Sequence, residues 1–127
     1  MRVWLAIAAI NGFLAVALGA FAAHGMQDGF TSDARQVFET GARYHMYHAL
    51  AMGLSAFAMR GKARIAAQWS AAFFFAGILL FSGSLYLFAL STLHALVFVT
   101  PVGGVSFLIG WAALAIAAAR LGPSEEN

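Results

Sequence analysis

Between Ile65 and Ala119 the chain runs for 55 residues without an aspartate, glutamate, lysine or arginine. A helix needs roughly 20 apolar residues to cross the hydrocarbon core of a bilayer, so this stretch has room for two crossings and must turn back once. Only 9% of the 127 residues are charged and 62% are hydrophobic. Soluble domains carry about 25% charged residues, so water is not the solvent this chain is built for. Backbone groups immersed in lipid must satisfy one another within the segment, which selects helices and predicts an all-α fold.

A first crossing lies upstream. Val3 to Gln27 is uncharged, and its apolar part, Val3 to Ala23, would span roughly 31 Å as a helix. Met1-Arg2 followed by an apolar run and by Ala20-Phe21-Ala22 imitates a signal peptide, but the run is longer than an h-region of about 7 to 15 residues and reads as an uncleaved helix. The second segment is shorter. Tyr44 to Met59 reaches only roughly 24 Å, so it must borrow an amphipathic lead-in, Ala34 to Arg43, which enters the bilayer near Gly41 after an Asp33/Gln36 capping pair; a re-entrant segment is the alternative. Ser91, Thr92 and His94, then Thr100, Pro101, Gly103 and Gly104, mark the turn within the long uncharged stretch. The expected architecture is one membrane domain, residues 1–127, folded as a four-helix bundle with helices near 3–24, 34–59, 65–90 and 101–120.

Cations in short loops set orientation. Arg60, Lys62 and Arg64 between the second and third helices mark the cytoplasmic side, and Arg2 and Arg120 agree, which predicts both termini inside and an amphipathic outer segment before the second helix. With a net charge of only +2 there is no basic patch for nucleic acid. The expected partner is the lipid bilayer, with a homo-oligomer or a membrane protein as a further possibility. Helix association in lipid relies on close contact at small residues and on a few hydrogen bonds. Gly12 and Gly19 on the first helix, Gly77 and Gly83 on the third, and Gly103 and Gly110 on the fourth supply the first, and Asn11 the second.

The absence of cysteine removes thiolate chemistry, and no G-x-S-x-G, P-loop, H-E-x-x-H or dinucleotide fingerprint is present. The expectation is a protein that is not an enzyme and has no cofactor. What remains is a layer of imidazoles and phenols expected on the outer side: His24, Tyr44, His45, Tyr47, His48, Tyr86 and His94. Three readings are open for it. These side chains hydrogen-bond at the interface, or His24, His45 and His48 hold a metal or haem, or the layer passes protons or a solute.

Four segments carry a family resemblance: Gly19-Ala20-Phe21-Ala22-Ala23-His24-Gly25, Tyr44-His45-Met46-Tyr47-His48-Ala49-Leu50, Phe81-Ser82-Gly83-Ser84-Leu85-Tyr86, and Thr100-Pro101-Val102-Gly103-Gly104 leading to Gly110-Trp111. In order and spacing they resemble the YgdD-like family of small bacterial inner-membrane proteins, which has relatives among small eukaryotic transmembrane proteins. Ala22 stands where that family has a glycine. The resemblance implies a multi-pass protein of the bacterial inner membrane without an established activity, and it brings no catalytic residues.

Overall fold

The computed structural model describes residues 1–91 and 93–123; Thr92, expected from sequence in a turn, and the last four positions of the expected domain, 124–127, lie outside the described residues. Among the described residues the chain is helical apart from short connections, with no strand. Helix α1, Arg2–Ala20, continues through a π-helical turn, Phe21–Gly25. Helix α2, Ser32–Phe57, is the longest. After a 3-10 turn at Gly61–Ala63, α3 (Arg64–Gly77), a π-turn (Ile78–Ser82) and α4 (Gly83–Leu90) form one continuous rod. A second 3-10 turn, His94–Phe98, leads into α5, Val99–Arg120.

Three of these helical stretches, Arg2–Gly25, Gly61–Leu90 and His94–Arg120, are long and apolar enough to cross a membrane. Their outer faces are covered with exposed Val, Ile, Leu and Phe, among them Phe13, Ile65 and Leu108, as lipid contact requires. α2 differs because its first half carries Asp33, Arg35, Glu39 and Arg43. It starts two residues earlier than expected because Thr31, not Asp33, caps it: the extended Thr31 places its Oγ1 to accept from the Ala34 amide at 3.0 Å. In the basic turn after α2, Gly61 adopts φ +51°, a left-handed conformation that a side chain would strain.

The helices do not close into a symmetric bundle. They pack neighbour to neighbour: α1 lies along α2, α2 along the α3–α4 rod, and that rod along α5, while α1 has no comparable contact with α3, α4 or α5. Accordingly α1 buries only Ala8, Asn11 and Ala15 within its α-helical part, whereas α2, packed on two sides, buries ten residues. The main apolar core is built by Met52, Ala67, Ala71, Phe74, Ile78 and Phe107, and a smaller cluster by Ala22, Met26, Phe38 and Ala89. Ala22, fully buried there, shows that α1 tolerates a methyl group at this contact.

Small residues set how closely the rod and α5 approach. A Cβ on Gly103 would run into the backbone of Leu80 and Phe81, one on Gly77 into the Phe107 ring, and one on Gly110 would come within 2.7 Å of Phe74. Gly19 meets only the Ala42 methyl at 4.0 Å, Gly83 only its own helix, and Gly12 has nothing within 4 Å. The seam expected on α1 is therefore not one of interlocked glycines, because α1 sits at the edge of the row with a single neighbour.

Candidate functional site

His45 and His48 are not at the outer end of α2. His45 is thirteen residues, roughly 20 Å, into the helix. Because the two are separated by three residues they share the face turned away from lipid, and both are only 4% exposed.

Each ring is held by two hydrogen bonds whose directions fix its tautomer. Asn11 Nδ2 donates to the Ile7 carbonyl at 2.9 Å, which leaves Asn11 Oδ1 to accept. His45 Nε2–H donates to that oxygen at 3.0 Å, and His45 Nδ1 then accepts from the Tyr86 hydroxyl at 2.9 Å. The chain Tyr86–His45–Asn11–Ile7 thus joins α4, α2 and α1. His48 is the opposite tautomer. The Trp111 indole N–H can only donate, and it does so to His48 Nε2 at 3.2 Å, so His48 Nδ1–H donates to the Tyr44 carbonyl at 2.7 Å. The His48 ring also stacks on Phe107, with centroids 3.5 Å apart and planes 7° from parallel.

Further polar contacts lie above and below. Ser70 Oγ donates to the Gly110 carbonyl at 2.8 Å and lies 2.9 Å from Ser55 Oγ, linking α2, α3 and α5. Ser106 donates to the Phe73 carbonyl at 2.7 Å, and Ser84 and Thr100 are 2.6 Å apart across α4 and α5. Ser82, in the π-turn, is fully buried with no hydrogen-bond partner among the described residues.

The other members of the expected layer are elsewhere. His24 is exposed in the π-turn that ends α1, and His94 is exposed in the 3-10 turn before α5 with its ring edge-on to Phe88 at 6.1 Å. Tyr44 and Tyr47 face outward. The structure therefore brings together His45, Tyr86 and Asn11, places His48 beside them with its own partners, and leaves His24 and His94 apart. Among the described residues no three His, Asp or Glu side chains gather where a metal ion could sit, so His24, His45 and His48 do not form the ligand set considered from sequence. The reason is geometric: His24 follows the last turn of α1, whereas His45 and His48 point into the middle of α2's interfaces.

The partners of His48 were not evident beforehand. Trp111 had a signal, since an indole N–H in the body of a lipid-immersed helix must find an acceptor. Phe107 had none, being an ordinary residue of an apolar stretch.

Comparison with known proteins is consistent with the four-segment resemblance. A family model described as a protein of unknown function, DUF423, matches residues 18–104. The chain is similar to the UPF0382 inner membrane protein YgdD of Escherichia coli (strain K12), 48% identical over 120 residues that cover 94% of this chain and 92% of YgdD. It is similar also to the UPF0382 membrane protein YwdK of Bacillus subtilis (strain 168), 43% identical over 121 residues that cover 94% and 98% of the two chains. No solved structure matches.

Proposed function

Because the chain belongs to the DUF423 family of membrane proteins, we propose that it acts in the bacterial inner membrane as a structural or interaction protein and catalyses no reaction. One observation carries this reading: all four ring nitrogens of His45 and His48 are engaged in hydrogen bonds to the protein itself. A metal or haem iron binds through an imidazole lone pair, and in both rings that lone pair already receives a proton donor, Tyr86 O–H in one and Trp111 N–H in the other. A proton path has equally little support, since the His45 chain ends on the Ile7 carbonyl, which cannot pass a proton on.

In this reading the polar layer holds α2 to its neighbours, and the lipid-facing surfaces serve a second copy or another membrane protein. The helices make four crossings, α2 included, with both termini in the cytoplasm beside the Arg60–Arg64 turn; the short cationic loop supports this orientation. Visible absorption and metal content of protein purified without chelator test it. The expected sample is colourless and metal-free. A Soret band or stoichiometric metal that vanishes in His45→Phe or His48→Phe overturns it.

A further inference from the structure

His48 and Trp111 meet through a hydrogen bond that only the neutral imidazole allows. The indole Nε1–H donates to His48 Nε2 at 3.2 Å, while His48 Nδ1–H donates to the Tyr44 carbonyl at 2.7 Å. An indole N–H never accepts, so a proton on Nε2 sets two donors head to head and ends the bond. His45 is different. Its Nδ1 faces the Tyr86 hydroxyl, which accepts as well as donates, so that contact survives a proton on the ring.

What surrounds His48 decides which partner gives way. The bond to Tyr44 holds in either state, because Nδ1 carries its hydrogen in both. The ring lies flat on Phe107, centroids 3.5 Å apart, and a cation over an aromatic face is favourable, so α5 keeps this contact too. Trp111 is the partner free to leave. It is 45% exposed, touches Phe74 edge-on at 5.1 Å and stands on the wall of the open groove between α2 and α5, so it turns outward without displacing the core.

The groups that face His48 are Tyr44 from α2, Phe74 from α3, and Phe107 and Trp111 from α5. One turn before it on α2, His45 is taken up by Tyr86 of α4 and Asn11 of α1. The charged side chains of the packed helices are remote or turned away: Arg43 is exposed, Asp33, Arg35 and Glu39 precede it, Arg2 and Arg64 begin α1 and α3, and Arg120 ends α5 nine residues after Trp111. A proton on His48 is therefore felt first at the Trp111 bond. We propose that the Trp111–His48 contact is a proton-operated latch between α5 and α2, closed while His48 is neutral and opened, with the indole turning outward, when acidified surroundings protonate Nε2.

The test uses the full chain with Trp4→Phe and Trp69→Phe, so that Trp111 is the sole tryptophan and carries a 15N-labelled indole. In nanodiscs of dioleoylphosphatidylcholine its N–H proton resonance is followed from about pH 8 to about pH 4.5, a range that brackets ordinary histidine titration. The expected result is a reversible upfield shift along a single-proton curve, as the hydrogen bond is lost, with helical circular dichroism unchanged. His48→Gln offers an acceptor that does not titrate, and its indole resonance is expected to stay fixed. A resonance that does not move with pH, one that moves equally in His48→Gln, or a shift accompanied by loss of helix overturns the proposal. A second measurement leaves His48 in place: Trp111→Phe is expected to lower the unfolding temperature less at about pH 4.5 than at about pH 8. An equal loss at both also overturns it.

Discussion

At the residue scale, two glycines that look alike in sequence differ in what surrounds them. Gly103 abuts the backbone of Leu80 and Phe81, which cannot rotate away, whereas Gly12 has open space. Gly103→Ala is therefore expected to destabilise the protein by about 1–3 kcal/mol or more, the range for overpacking, and Gly12→Ala to be neutral or slightly stabilising through its better helix propensity. Thermal unfolding in detergent micelles distinguishes them; equal effects would mean that α5 does not approach the rod as closely as described. The Asn11–His45 pair invites a double-mutant cycle with Asn11→Ala and His45→Phe. A coupling of about 1 kcal/mol is expected, within the range of up to about 1.7 measured for hydrogen bonds between membrane helices. Zero coupling would remove this contact as an attachment of α1.

The helices themselves contain two devices that govern where side chains point. Thr31 caps α2 where the helix is amphipathic and outside the apolar stretches, so Thr31→Ala is expected to cost about 1 kcal/mol and to speed amide hydrogen exchange in the first turn only. The Arg35–Glu39 pair in the same region, at 3.3 Å and well exposed, adds little by comparison. The π-turn Ile78–Ser82 matters more, because a π-turn holds an extra residue and shifts the face presented by everything after it. Deleting the lipid-facing Leu79 would let the turn close as α-helix without its extra residue; the two arrangements make about the same rotation, so α4 keeps its face and Tyr86 still meets His45. The deletion is expected to lower the unfolding temperature less than Tyr86→Phe, which loses the hydroxyl but keeps the Phe38–Tyr86 ring contact. The opposite order would show that the π-turn geometry itself, and not only the face it sets, holds the rod.

Taken whole, the molecule is a row of helices in which α2 carries the polar contacts and α1 hangs from one edge. Its orientation rests on one basic turn. Reporter fusions are expected to place positions 1, 62 and 123 on the cytoplasmic side and position 30 outside; a fusion at Lys62 active only on the outer side would invert the topology. The row also explains why most of the molecule's exterior is apolar, since each helix turns to lipid whatever part of its circumference no neighbour covers.

Much of this was legible in the amino-acid order. The uncharged stretches marked α1, the α3–α4 rod and α5 to within a few residues, because the cost of placing a charge in hydrocarbon acts on each residue separately and needs no knowledge of neighbours. What the order could not reveal is which polar group meets which. His45, His48, Asn11, Tyr86 and Trp111 are all visible as residues that need partners, yet their pairing depends on how each helix is rotated about its axis. The rotation is fixed by close contacts such as Gly103 on Phe81 and by the extra residue of a π-turn, both properties of packed helices rather than of any single segment. Solvation decided that this chain is a set of membrane helices; packing decided that its two buried imidazoles turn inward to separate partners while His24 and His94 remain outside.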